Sequence, residues 1–235
     1  MLEPSRILVV LPNPVGDAVM ATPALAALRR RYRAAHVTFL GRAPALAVLA
    51  DTTLADAMLR ERRPWWRTAL ALRRRRFDLA VLLPNSFRSA LLAWAGGARR
   101  IVGYDRGGRG WLLSHPLAPA RDDRGRLRAV PQIDAYRALA ERAGAPAGDR
   151  RMTLGEGRAA AAEAEALLAE AGVEAVRPIV VLNPGAAYGP SKRWPPERFA
   201  AVADALIERR GAQIIINAAP AERDIAAAGA VWMRH

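Results

Sequence analysis

Residues 6–33 read RILVVLPNPVGDAVMATPALAALRRRYR, and this stretch decides the fold class. Its first part, Ile7 to Leu11, is a short apolar run rich in β-branched residues, which predicts a strand buried on both faces. The prolines and the glycine that follow, ending at Gly16, predict a loop. Apolar residues then recur at helical spacing from Val19 until a basic cluster begins at Arg29, and this pattern predicts a helix.

Asp17 stands between the predicted loop and the predicted helix. A carboxylate at the carboxyl end of a first strand lies where open α/β sheets bind their ligands. An acid that only caps a helix would occupy the same place, so position alone leaves both interpretations open. Pro23 leaves a second choice, because the helix either begins with Thr22 as its N-cap or kinks at the proline.

The pattern of strand, loop and helix continues along the chain. Predicted strands cover residues 36–41, 56–59, 77–83 and 100–104, and predicted helices cover residues 43–50, 64–76, 87–94 and 133–143. This alternation predicts a parallel, doubly wound sheet. Residues 105–130 have little apolar content and are expected to form a mobile loop outside the core. Within them, residues 106–110 read RGGRG, which is either an RNA-binding element or a basic surface loop.

A predicted helix over residues 155–171 ends before Gly172, and after this glycine the pattern restarts. Predicted strands then cover residues 178–182 and 213–217, and predicted helices cover residues 197–210 and begin again at Ala221. We therefore expect a first domain at 1–172 and the start of a second at 173–235. Two strands are too few to bury a sheet, so the second domain is expected to be truncated.

Composition excludes several classes of site. The chain has no cysteine and three scattered histidines, which excludes a disulfide framework and predicts no zinc site. Neither a signal peptide nor an apolar run long enough to span a bilayer is present in the sequence, so a soluble, cytoplasmic protein is expected. The formal net charge is +14, and residues 1–150 hold 26 basic and 12 acidic side chains, whereas residues 151–235 hold 10 of each. The first domain is therefore expected to face an anionic partner.

A second informative loop, NPGAAYGPSKRWPPERF, covers residues 183–199. Gly185 and Gly189 allow the backbone to turn tightly beside a ligand, and the free N–H groups of the following helix favour phosphate. Lys192 is the one lysine among 36 basic residues, which suggests a need for a compact point charge. A chance lysine on a loop is the alternative. Trp194 is interpreted as a packing anchor against the helix at 197–210, and a residue that lines the site is the alternative.

Three segments together carry a resemblance to a known family. They are ILVVLPNPVGDAVMATPAL at the start, FDLAVLLPNSFRSAL at 77–91 and PGAAYGPSKRWPPERFA at 184–200. The sequence resembles lipopolysaccharide heptosyltransferases of glycosyltransferase family 9, of the heptosyltransferase II type. The resemblance implies a GT-B fold of two Rossmann-like domains, the first binding the acceptor and the second mainly the sugar nucleotide. It also implies inverting transfer of heptose from ADP-heptose to the inner core of lipopolysaccharide, with no metal or other cofactor.

The resemblance also implies roles for individual residues. Asp17 matches the general base that takes the proton of the acceptor hydroxyl, and Gly16 matches the glycine before it. Lys192 matches a lysine on the donor diphosphate. Ala187 and Tyr188 match residues that contact the phosphates, and Glu222 matches an acid that contacts the nucleoside. Asn85 and Ser86 match a segment that lines the cleft. For Asn85 and Ser86 a helix cap is an equally good interpretation.

Partners follow from the same resemblance. A sugar nucleotide, a lipopolysaccharide core acceptor and peripheral contact with the cytoplasmic face of the inner membrane are expected, and nucleic acid is not. The family's later Asp-Ser/Thr-Gly-x-x-His segment has no match in residues 1–235. Little transferase activity is therefore expected of these residues alone. A non-catalytic remnant that binds an anionic glycolipid is the alternative.

Overall fold

The computed structural model describes residues 3–146, 148–155, 157–174, 176–186, 190–231 and 233. The chain divides into two compact units, Met1–Gly157 and Arg158–His235. Helix α7 (Arg158–Glu170) thereby falls in the second unit, whereas the sequence pattern places the domain boundary at residue 172.

The first unit is built on a six-stranded parallel sheet with the order β3-β2-β1-β4-β5-β6. The strands are β1 (Arg6–Val10), β2 (His36–Gly41), β3 (Ala57–Arg60), β4 (Leu79–Leu82), β5 (Arg100–Tyr104) and β6 (His115–Leu117). This order confirms the predicted doubly wound sheet. Strand β1 lies inside the sheet, between β2 and β4.

Both faces of β1 are apolar because both are covered. Ile7 and Val9 belong to one hydrophobic core, and Leu8 and Val10 belong to the other. All four side chains are at most 1% exposed. Alternate residues of a strand point to opposite faces, so an apolar run without alternation fits only a strand covered on both sides.

Helices cover both faces of the sheet. The helices of this unit are α1 (Val15–Met20), α2 (Thr22–Arg31), α3 (Ala43–Ala47), α4 (Trp65–Arg75), α5 (Phe87–Ala95) and α6 (Gln132–Arg142). Helices α1, α2, α3 and α6 contribute to the core that contains Ile7, and α4 and α5 contribute to the core that contains Leu8. The helical pattern before Pro23 proves to be a separate helix, α1, and α2 starts at Thr22 with the proline in its first turn.

The expectation of an irregular segment outside the core is wrong for residues 110–117. A 3-10 turn covers Gly110–Leu112, and β6 extends the sheet beside β5. Leu112 and Leu113 are buried in the second core. The strand pairs through only three residues, which is too short for any periodicity to be visible in the sequence.

The second unit contains a parallel pair of strands, β7 (Ile179–Leu182) and β8 (Gln213–Ile216). Helix α8 (Pro196–Arg210) connects them, and α9 (Arg223–Val231) follows β8. Two 3-10 turns, Pro190–Lys192 and Pro220–Glu222, lie after β7 and β8 respectively. Parallel pairing puts the segments that follow the two strands at the same edge.

Asp78 ties the start of β1 to the start of β4. Its carboxylate accepts hydrogen bonds from the Ser5 amide (3.0 Å), the Ser5 hydroxyl (2.9 Å) and the Arg6 amide (3.1 Å). Burial by itself would raise the pKa of Asp78, but these bonds and the nearby Arg99 outweigh it and lower the pKa below its usual value. A carboxyl with a lowered pKa stabilises the fold above the unfolded-state pKa, and this stabilisation is lost as the pH falls.

We expect Asp78→Asn to lower the free energy of unfolding by about 1–2 kcal/mol at pH 7. The difference from the unchanged protein should shrink as the pH falls below about 4, because the carboxyl is protonated first in the unfolded chain and, at lower pH, also in the folded chain. Urea unfolding at pH 7 and at pH 3 measures both values. Asp123→Asn, at an exposed position, is the matched control, and a difference that does not vary with pH would contradict the assignment.

Candidate functional site

The strand order reverses beside β1. From β1 the chain moves outward through β2 and β3 on one side, and it returns to add β4, β5 and β6 on the other. Open α/β sheets bind ligands at such a switch point, outside the carboxyl ends of the strands. Here the segments that leave this point are residues 11–17 after β1 and residues 83–86 after β4.

Asp17 lies on the segment after β1, in the first turn of α1. The N-cap of α1 is Pro14, and no side-chain hydrogen bond caps it. The carboxylate is half-buried, and Gly16 beside it is exposed. A β-carbon at Gly16 would meet no atom within 4 Å, so the space beside the Asp17 backbone is open.

Tyr136 is a neighbour of Asp17 that the sequence pattern did not single out. It lies on α6, is 2% exposed, and belongs to the same core as α1. Burial raises the pKa of the Tyr136 phenol, and the negative charge of Asp17 raises it further. The phenol therefore stays protonated at neutral pH. An aromatic residue at a buried helical position carries no signal in the sequence that separates it from ordinary core.

Asn85 and Ser86 lie on the segment after β4, and both are exposed. Ser86 is the N-cap of α5, and its hydroxyl accepts a hydrogen bond from the Ser89 amide at 3.2 Å. The capping interpretation is thus confirmed for Ser86. The Asn85 side chain instead accepts a hydrogen bond from Arg109 at 3.3 Å.

Arg109 is fully buried at the same edge of the sheet. Its guanidinium bonds the backbone of the segment after β4 and the Tyr104 carbonyl at the end of β5. The sequence pattern assigned this residue to an exposed RGG-like element, and that assignment is wrong for Arg109. Only the tertiary structure distinguishes this arginine from its exposed neighbours.

A cavity of about 650 Å³ adjoins Asn85. Its wall is formed by the ends of β5 and β6, by residues 118–120 and 127–130, and by the first half of α6. The volume is in the range of small-molecule binding sites. The cavity therefore lies at the switch-point edge of the sheet in the first unit and runs from Asn85 toward α6.

In the second unit, the segment after β7 carries Lys192. The lysine ends a 3-10 turn and is exposed. Trp194 packs edge-on against Phe199 of α8, with ring centroids 5.2 Å apart, which confirms its interpretation as a packing anchor. Ala187 and Tyr188, the residues predicted to contact phosphate, lie outside the described residues.

Glu222 lies against the same segment. A β-carbon at Gly185 would collide with the Glu222 carboxylate, so the glycine is what allows this approach. Asn217 after β8 donates a hydrogen bond to Asn183 after β7, at 2.9 Å. The second unit thus brings the Gly185 segment and Glu222 together at one sheet edge.

Most of this chain matches a known protein family. The family model described as glycosyltransferase family 9 (heptosyltransferase) matches residues 65–233. The chain belongs to glycosyltransferase family 9. The matched range includes Asn85, Ser86, Lys192 and Glu222, and Asp17 precedes it.

Individual family members are similar over most of the chain. Lipopolysaccharide heptosyltransferase 2 of Salmonella typhimurium is 30% identical over 232 residues, which cover 90% of this chain. The ADP-heptose lipopolysaccharide heptosyltransferase II structure of Escherichia coli superposes with a TM-score of 0.74 and 26% identity, over 94% of this chain. A family 9 structure from Veillonella parvula has a TM-score of 0.80 and 21% identity, over 98% of this chain.

These similarities confirm the predicted α/β fold class of GT-B type. The chain spans 62% of the length of the Salmonella protein and 66% of the E. coli structure. The match to the Veillonella structure covers 67% of that chain.

The described residues contain neither a candidate membrane-spanning helix nor a candidate metal site. No helix in the part of the chain that the structure describes is both long and apolar enough to cross a membrane. Within the same residues, no three or more histidine or acidic side chains are grouped as metal ligands would be. The absence of a metal requirement remains a prediction from the resemblance.

We expect Ser86→Ala to lower the free energy of unfolding by about 1 kcal/mol, because α5 loses its side-chain cap. Ser86→Asp keeps an acceptor at the N-cap and should cost much less. Urea unfolding of the two variants measures the difference. Equal losses in both variants would contradict the capping role.

Proposed function

We propose that this family 9 chain takes part in the transfer of heptose from ADP-heptose to the inner core of lipopolysaccharide, with inversion at the anomeric carbon. The observation that carries the proposal is the position of Asp17, a half-buried acidic residue next to the exposed Gly16 at the switch point of the sheet. The E. coli relative, an ADP-heptose lipopolysaccharide heptosyltransferase, supports the choice of donor and acceptor.

Asp17 is the general base in this proposal. Its carboxylate takes the proton of an acceptor hydroxyl while that oxygen attacks the anomeric carbon of the heptose. The bond from this carbon to the diphosphate breaks, and ADP leaves from the opposite face of the sugar. One displacement of this kind inverts the anomeric configuration. General-base assistance contributes about 10² to 10⁴ in rate.

Lys192 and Glu222 serve the donor in this proposal. The ammonium of Lys192 stabilises the negative charge that develops on the leaving diphosphate, which makes a metal ion or other cofactor unnecessary. Glu222 contacts the nucleoside, and Ala187 and Tyr188 contact the phosphates. The proximity of Glu222 to Gly185 supports a shared site for nucleoside and diphosphate.

The first unit serves the acceptor. Residues 1–150 carry most of the positive charge of the chain, and a lipopolysaccharide core with phosphates and acidic sugars is complementary to it. We extend the proposal to peripheral contact with the cytoplasmic face of the inner membrane. Nucleic acid is a poorer candidate partner because Arg109, half of the RGG-like pair of arginines, is buried.

A non-catalytic protein that binds an anionic glycolipid is the alternative function. Membership of a transferase family favours the enzyme, and no feature of the described residues favours the alternative. The assay below separates the two.

We expect Asp17→Asn to lower the rate of heptose transfer by about 10² to 10⁴, with binding of deacylated lipopolysaccharide little changed. Asparagine has nearly the same shape as aspartate but cannot accept a proton at neutral pH. The measurement is ADP release with enzyme in excess over ADP-heptose and with the acceptor saturating. Asp123→Asn is the control, because it removes the same charge from an exposed position.

An unchanged rate in Asp17→Asn would contradict the role of Asp17. ADP release by the unchanged chain, even at a low rate, that Asp17→Asn abolishes would favour the transferase over the binding protein. The same assay tests the expectation of little activity for residues 1–235, which ADP release at about 1 per second or faster would contradict.

We expect Lys192→Ala to weaken ADP binding by about 10- to 100-fold, because a charge-assisted contact to the diphosphate is lost. Lys192→Arg keeps the charge and should weaken binding less. Isothermal titration calorimetry with ADP measures the affinity. Arg210→Ala, which removes an exposed cation at the end of α8, is the control, and an equal loss in this variant would indicate a general charge effect.

A further inference from the structure

The guanidinium of Arg109 is buried without a carboxylate partner among its hydrogen bonds to described residues. Burial lowers the pKa of Arg109 to about 10, while the charge of Asp105 acts in the opposite direction. The side chain therefore remains a cation at neutral pH. Burying a charge costs free energy unless many hydrogen bonds compensate it. An apolar side chain would fill the same space without this cost.

The hydrogen bonds of Arg109 converge on one short segment. Its Nη1 donates to the Pro84 carbonyl (2.6 Å), the Ser86 carbonyl (3.0 Å) and the Ser89 hydroxyl (3.1 Å). Its Nε donates to the Tyr104 carbonyl at 3.0 Å. The arginine thus holds the segment after β4 against the end of β5, on both sides of Asn85.

The remaining contact determines how the Asn85 amide is turned. Arginine has only donors, so the atom of Asn85 that faces Nη2, at 3.3 Å, must be the oxygen Oδ1. With its oxygen held in this way, the amide turns its NH₂ group away from Arg109. Asn85 also lines the 650 Å³ cavity, and its amide can offer donors there.

The other polar residues of the cavity favour an anionic, oxygen-rich ligand. Arg106, Arg128 and Gln132 line it together with Asn85. The one acidic residue of the lining, Asp134, is paired with Arg137 at 3.1 Å and with Arg150 at 2.8 Å. The cavity wall therefore presents donors and positive charge.

We propose that Arg109 is a positioning residue that orients the Asn85 amide, so that its NH₂ group donates to an oxygen of an acidic saccharide bound in this cavity. The identification of that saccharide as part of the acceptor rests on the proposed function. Arg109 itself does not touch the ligand, and its effect on binding passes through Asn85.

A double-mutant cycle on binding tests this coupling. The affinity of deacylated lipopolysaccharide core is measured by calorimetry for the unchanged chain, Asn85→Ala, Arg109→Lys and the double variant. Each single variant should bind about 10-fold more weakly. The double variant should bind no more than about 3-fold more weakly than either single variant, because both changes remove the same contact.

The matched control is Arg142→Lys. Arg142 also donates to a carbonyl of the sheet, that of Pro116, but it is exposed and does not line the cavity. The affinity of the Arg142→Lys variant for the saccharide should equal that of the unchanged chain. Thermal melting of every variant shows whether a loss of affinity reflects a loss of folding.

Asn85→Asp keeps the inference testable if Arg109→Lys does not fold. The aspartate still accepts the hydrogen bond of Arg109, which preserves the fold, but it offers no donor and adds a negative charge to the cavity. Binding of the anionic saccharide should fall by at least about 10-fold.

Losses that multiply in the double variant would overturn the inference, since Arg109 would then act independently of Asn85. Unchanged affinity in Asn85→Asp, or no binding of the saccharide by the unchanged chain, would overturn it as well. The cycle requires neither ADP-heptose nor turnover. A chain that shows the coupling while Asp17→Asn leaves ADP release unchanged would therefore contradict the proposed role of Asp17 and support this inference.

Discussion

The burial of β1 on both faces is the constraint on which the first unit depends. Ile7 and Val9 anchor one core, and Leu8 and Val10 anchor the other. An inner parallel strand must have helices on both sides, and the chain can supply them only by winding outward from β1 in both directions. The reversal of strand order beside β1 follows from this requirement, and so does the placement of Asp17 and Asn85 at the same edge of the sheet.

The two segments at that edge are held by different means. Asp17 is placed by a short helix that packs into the core, with Tyr136 of α6 close enough for the charge of Asp17 to raise the pKa of its phenol. The segment around Asn85 packs into the core only through Leu83, and the buried cation of Arg109 holds the rest of it. A packed helix positions a backbone, whereas a fork of hydrogen bonds also determines the orientation of an amide. This difference suits a proposed base on the one segment and a donor for recognition on the other.

In the second unit, the predicted site depends on the close approach of the Glu222 carboxylate to the backbone at Gly185. It does not depend on a buried side chain such as Arg109. The two strands of this unit are parallel, so the Gly185 segment and Glu222 meet at one edge. A glycine at residue 185 leaves room for a carboxylate that any side chain would displace. The chain thus carries the proposed base in its first unit and the proposed donor contacts in its second, in a family whose members include heptose transferases.

The sequence by itself determined the doubly wound order of elements, the Trp194 anchor and the family, and it left the Ser86 cap as one of two interpretations. These depend on local patterns, namely apolar runs, helical spacing, turn residues and contiguous motifs, which remain visible without the fold. Only the tertiary structure decided the roles of β6, Tyr136 and Arg109. A three-residue strand has no periodicity to recognise, and an arginine in a polar, glycine-rich segment resembles any exposed arginine. Its burial arises from strands distant in sequence that place several carbonyls around one guanidinium, and that arrangement exists only when the sheet is assembled.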